Sequence, residues 1–124
     1  MRRTATIAAV LTTLAALGVL LVLIRRDEGI PFSREIWSRS AGKVESPRLA
    51  MAKNLISQHA LRGKSRSEVL ALLGEPSPEN TIEGWDLVYF LGANRDSYMP
   101  IDPAWLAIRF DRNGIVERCE LIVG

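Results

Sequence analysis

The one histidine and the one cysteine of the chain, His59 and Cys119, have the first claim to chemistry. Together they would make a nucleophilic pair, in which the imidazole takes the thiol proton and the thiolate attacks. That chemistry needs both groups within hydrogen-bond reach and a third group to orient the base. Here His59 ends an amphipathic run and Cys119 falls on a predicted strand, so distant elements would have to bring them together, with no orienting group in view. The plainer reading, a boundary histidine and a half-buried thiol, is preferred. One His and one Cys also fall short of the clustered ligands of a structural metal site.

Glu68 and Glu75 offer paired carboxylates for acid–base work, yet each has a simpler role. Glu68 stands three residues after Ser65, the spacing of a reciprocal helix cap, and Glu75 sits in a Gly-Glu-Pro stop. Gly63 and Gly74 are not in the order that cradles a phosphate, since neither GxxxxGK[ST] nor GxGxxG occurs around them. No catalytic residue, no cofactor and no metal is therefore assigned, and the chain is not expected to be an enzyme. What local structure does not explain is the stretch GANRDSYMPIDP, residues 92–103. It is too long for a tight turn, and Asn94, Arg95, Asp96, Tyr98 and Met99 are its candidate partner-binding residues. Against that stands the possibility that Tyr98 and Met99 fold back over the sheet edge or core.

The elements that must position these groups follow from spacing. Ser46-Pro47 opens a helix that runs to about residue 60, with Leu49, Ala52, Leu55, Ile56 and then His59 or Ala60 inward, and Arg48, Lys53 and Gln58 in water. GKSRSEVLALLGEP, residues 63–76, encodes a second, short helix from Arg66 to Leu73. Ser65 and Glu68 cap its start, Val69, Leu72 and Leu73 face inward, and Gly74 and Pro76 end it. From Gly84 the period becomes two. Trp85, Leu87, Tyr89 and Leu91 share one face of a strand, and Leu106, Ile108 and Phe110 one face of the next. Asp111-Arg112-Asn113-Gly114 turns the chain into a last strand over 115–123. Its inward set is open, Ile115, Cys119 and Leu121 competing with Val116 and Ile122.

Ahead of this α+β unit, residues 4–24 hold no charge and as a helix would measure roughly 31 Å, about one bilayer core. Arg2 and Arg3 precede the run and Arg25-Arg26 close it. That favours an uncleaved transmembrane signal anchor over a cleaved secretory signal. The expected organisation is a tail at 1–3, the anchor at 4–24, a juxtamembrane linker at 25–46 and one α+β domain at 47–124. In the linker one short docked turn has room to form, and Trp37 is expected either on the domain or at the membrane interface. Residues 1–43 carry seven Lys and Arg against three acids, and residues 44–124 nine against eleven. The domain is mildly acidic, without the concentrated basic face that nucleic acid requires. The same count bears on topology. Arg25, Arg26, Arg34, Arg39 and Lys43 after the anchor favour a cytoplasmic domain, while a short tail with paired arginines favours a periplasmic one.

The pattern Gly63-x-Ser65-x-x-x-Val69-x-x-x-Leu73-Gly74-x-Pro76, a Trp/Tyr-bearing strand, and Leu106-x-Ile108-x-Phe110-Asp111-x-x-Gly114-x-Val116 resembles the SmpA/OmlA family, the small envelope lipoproteins similar to BamE. The resemblance covers residues 47–123. It implies two helices packed on a three-stranded antiparallel sheet, held in the bacterial envelope, in a family of binding and scaffold modules that assist outer-membrane protein assembly. The chain departs from that family in having no cysteine before Cys119 to carry a lipid. The expected function is a non-enzymatic binding or scaffold domain at the bacterial inner membrane, periplasmic by preference, which holds an envelope protein on the free sheet face or the 92–103 loop. The alternative is an inhibitor or sensor module that engages an envelope or secreted enzyme through residues 92–103.

Overall fold

Ser33, Ser65 and the aspartate of an Asp-x-Asn-Gly turn set the boundaries of most elements in the computed structural model, which describes residues 29–93 and 102–124. Three helices, α1 (Arg34–Arg39), α2 (Arg48–Ser57) and α3 (Arg66–Leu73), precede three strands, β1 (Leu87–Ala93), β2 (Pro103–Phe110) and β3 (Val116–Val123). The strands make one antiparallel sheet in the order β1-β2-β3. α2 lies across all three strands, and α1 packs on α3.

Two parts of the expected α+β layout are corrected. There are three helices, not two, because Ser33 caps an extra turn of chain, its Oγ accepting from the Ile36 N–H at 3.4 Å. That turn exists to bury Trp37, which has no exposed surface. The second correction concerns the membrane helix. Among the described residues no helix is long and apolar enough to cross a membrane. The longest, α2, has 10 residues and rises only about 15 Å, half a bilayer core. The proposed anchor at 4–24 lies outside the described residues.

α3 forms as its sequence dictates. The Glu68 N–H donates to Ser65 Oγ at 3.2 Å, and the Ser65 N–H donates to Glu68 Oε1 at 3.1 Å. This reciprocal cap satisfies two donors that would otherwise be orphaned. The pair of bonds from Ser65 holds the Glu68 carboxyl below its ordinary range. At the other end Gly74 adopts φ 78°, and the terminal carbonyls find aromatic donors. Trp37 Nε1 donates to the Leu73 carbonyl at 2.9 Å and the Tyr89 hydroxyl to that of Gly74 at 2.8 Å. The two rings meet edge-on at 5.9 Å, so the end of α3 is welded to α1 and β1.

α2 ends at Ser57, short of the expected residue 60, through a backbone motif. The Ala60 N–H donates to the Leu55 carbonyl at 3.0 Å and the His59 N–H to that of Ile56 at 3.1 Å. His59 stands at φ 51° between them. These two bonds are the Schellman pattern, with histidine where glycine is usual. The buried stripe of α2 also turns: Arg48, Met51, Ala52 and Leu55 are buried, while Leu49 and Ile56 pack at its margin. Arg48 is therefore not in water, as the spacing predicts. Its guanidinium instead stacks 4.3 Å from the Trp37 ring centroid, and Nε donates to the Trp37 carbonyl at 2.9 Å. The expected cap shifts by one residue: Pro47 is the N-cap, without a side-chain bond, and Ser46, just before it, accepts from the Arg48 N–H at 3.2 Å.

Leu87, Tyr89 and Leu91 of β1 and Leu106 and Ile108 of β2 enter the core beneath α2, with Phe110 packed at its rim. β3 contributes Val116, Cys119 and Leu121, a mixture of the two sets the sequence leaves open. The cause is a bulge. Arg109 pairs with Arg118 but Phe110 pairs with Val116, so Glu117 is an extra residue and the in–out alternation changes phase there. The β2–β3 turn is tied by Asp111, whose Oδ1 accepts from the Asn113 and Ile115 N–H groups at 2.8 and 3.1 Å.

Candidate functional site

A sheet covered by helices on one side must present its other side to something else. Register places Val88, Phe90, Trp105, Ala107, Arg109, Arg118, Glu120 and Ile122 on that second face. No described helix covers it, yet Val88 and Ala107, paired across β1 and β2, are only 2% and 0% exposed. Phe90 and Trp105 pack edge-on beside them with centroids 5.1 Å apart. Toward the other end of the face, the guanidinium groups of Arg109 and Arg118 lie 6.0 and 5.6 Å from the Trp85 ring centroid. Both arginines also hold carboxylates: Arg109 Nε meets Glu117 Oε2 at 3.2 Å, and Arg118 pairs with Glu120.

The alternation predicts Trp85 on the inward face with Leu87 and Tyr89, and the structure corrects this. The chain turns just before β1, the Trp85 N–H donating to the Ile82 carbonyl at 3.1 Å, and Asp86 is fixed by accepting from the Phe110 N–H at 2.8 Å. Trp85 thus precedes the strand and escapes its alternation. The result is a face of half-buried tryptophan, phenylalanine and arginine, the residue types that anchor protein interfaces because they combine large area with polar handles.

The groups first suspected of chemistry share a different place. His59 and Cys119 both line a cavity of about 240 Å³ between the end of α2 and β3, with Leu55, Ile56, Arg62 and Val116. The fold brings them to one groove, but not to an activated pair. Burial, with the neighbouring Glu120 charge, pushes the Cys119 thiol up to about 12, which disfavours the thiolate a nucleophile needs. His59 is committed through its backbone to stopping α2. Glu68 is committed to the cap of α3. Glu75 lines a second cavity, of about 190 Å³, with Arg48, Glu79 and Tyr89. There burial lowers the Arg48 pKa and, helped by the Glu75 charge, raises that of Tyr89. Two carboxylates beside one guanidinium leave this cavity unsuited to an anion. Among the described residues no group of three or more His, Cys, Asp and Glu could hold a metal ion.

The partner-binding candidates Asn94, Arg95, Asp96, Tyr98 and Met99 lie outside the described residues. The sequence reading offers the free sheet face as a partner surface but names none of the residues that compose it. The signal was present in the run Leu87-Val88-Tyr89-Phe90-Leu91, since consecutive apolar residues in a strand demand burial on both faces. Comparison with protein-family models, curated proteins and solved structures finds no match to this chain.

Proposed function

We propose that this protein is a non-enzymatic binding or scaffold domain of the bacterial envelope, kept at the inner membrane by residues 4–24, which takes a protein partner on the open face of its sheet. The observation that carries the proposal is the array of Trp85, Phe90, Trp105, Arg109 and Arg118, which no described helix covers, beside the buried Val88 and Ala107. Side chains of these types on a rigid sheet bind with little loss of conformational freedom. The uncharged run at 4–24 supports the membrane placement, and the resemblance of the helix and hairpin pattern to the SmpA/OmlA family supports an envelope role in protein assembly.

Site-specific photocrosslinking in cells from position 105 or 122 on the open face tests the reading, with position 53 on the helix side as control. A defined protein adduct from the open face, lost on Trp85→Ala, is the expected outcome. Equal adducts from both sides, or none from the open face, would reject it. Engagement of an enzyme through residues 92–103 is the competing reading, and adducts from position 98 but not 105 would favour it.

A further inference from the structure

A sheet of three strands has two edges, and among the described residues a segment of chain runs beside part of β1 but none runs beside β3 past its start. Beyond its first rung β3 pairs with β2 alone. The chain itself fills that rung: the Val116 N–H donates to the Lys64 carbonyl at 2.9 Å, the Arg66 N–H donates to that of Gly114 at 3.2 Å, and Ser65 bridges Ile115. Over 117–123 the backbone groups directed away from β2 have no partner among the described residues. Unpaired backbone of this kind is a template for another strand.

The charges along the edge select its occupant. On the open face Arg118 and Glu120 are half exposed and flank Cys119, which points to the helix side. We propose that the occupant is a second copy of this chain, its β3 antiparallel to the first about a two-fold axis through Cys119. That register sets Arg118 opposite Glu120 of the second copy and Glu120 opposite Arg118 of the second copy. Each carboxylate then lies between two guanidinium groups, and opposite charges directly across strands are stabilising. Moving the axis one residue either way sets Arg118 against Arg118 or Glu120 against Glu120, which is repulsive. Moving it two residues toward Val116 runs into the rung held by Lys64, and two residues the other way leaves Arg118 without its cross-strand carboxylate. The charge order Arg-Cys-Glu is therefore self-complementary in one register. The assembly joins two three-stranded sheets into one of six, with both open faces on the same side. It is an isologous contact and closes as a dimer. Arg118 belongs to the open face as well, but the exchange of charge between positions 118 and 120 reads the edge register and not partner binding.

Sedimentation equilibrium of the full chain in excess detergent, over a range of protein concentration, tests it with Arg118→Glu and Glu120→Arg. Wild type is expected to dimerise, and each single variant to dimerise about tenfold more weakly or worse, since both symmetric pairs become repulsive. An equimolar mixture of the two variants is expected to recover the dimer. In the mixed pair the carboxylate introduced at position 118 of one chain faces the guanidinium introduced at position 120 of the other, and the remaining native Glu120 faces the remaining native Arg118. Thermal melts of each variant check the fold, and recovery on mixing is itself evidence that both are folded. A monomeric wild type overturns the proposal. So do single variants that associate as well as wild type, as they would through residues 4–24 or the open face, and so does a mixture that fails to recover.

Discussion

Over residues 90–93 of β1 the sheet edge is built shut, and along β3 it is left as surface. Residues 44–48 run beside β1. The Ala93 N–H donates to the Val44 carbonyl at 2.9 Å, Ser46 Oγ donates to the Leu91 carbonyl at 3.1 Å, and Arg48 Nη1 reaches that of Phe90 at 3.4 Å. Gly92 permits the approach: its φ is 99°, and a Cβ there would stand 2.4 Å from the Val44 carbonyl oxygen. Along β3, past the rung at Val116, the chain offers the charges of Glu117, Arg118 and Glu120 and no closing segment among the described residues. A closed edge belongs to the folding unit, because its loss leaves buried polar groups unpaired. A charged open edge resists nonspecific strand addition while the backbone behind it stays available.

If that contrast is right, equal insults to the two edges have unequal effects. Arg48→Ala is expected to cost the most, about 3–5 kcal/mol, by removing a charged donor from two carbonyls and leaving a void on Trp37; urea unfolding measures it, and a loss under about 1 kcal/mol would break the comparison. Gly92→Ala follows at about 2–3 kcal/mol, from positive φ and the pressure on Val44, with new aggregation in light scattering as the sign of a prised edge. Ser46→Ala should cost about 1–2 kcal/mol, the Leu91 carbonyl and the Arg48 N–H both losing their partner. On the β3 side Glu120→Ala should stay within about 0.5 kcal/mol, since its ion pair is solvated.

The thiol behind the β3 edge adds a dependence on pH alone. Unfolded, Cys119 ionises near its ordinary 9.0, and folded near 12. Between those values the unfolded chain holds fewer protons than the folded one, so stability falls as pH rises through that window. Cys119→Ala should flatten the fall in a pH series of chemical melts, and an unchanged slope would count against the burial of the thiol.

What could be read from the sequence was whatever local rules determine. The Ser65–Glu68 cap, the Gly74 stop, the Asp111 turn and the inward set of Leu87, Tyr89 and Leu91 each depend on residues a few positions apart. What escaped depends on tertiary contact. The choice of the domain over the membrane interface for Trp37, and the burial of Arg48, depend on elements that complete one another, and no window around position 37 contains Leu73 or Tyr89. The β3 phase escaped because a bulge at Glu117 has no fixed residue signature. The end of α2 escaped because histidine fills a left-handed position that glycine usually marks. Of the candidate site, the composition of the open face was written in the apolar run of β1, but its use of Trp85 required the turn at Ile82.

The three tryptophans divide between the two sides of the sheet, and that division has an optical consequence. Trp37 has no exposed surface and spends its indole proton on the Leu73 carbonyl, whereas Trp85 and Trp105 are partly open to solvent on the other side. Iodide should quench the emission of the latter two and leave a blue-shifted, unquenched component from the first. A ligand landing on the sheet would then protect the quenchable fraction without moving the protected one, while loosening of the interior would do the reverse, so the emission spectrum separates occupancy from unfolding without any added label.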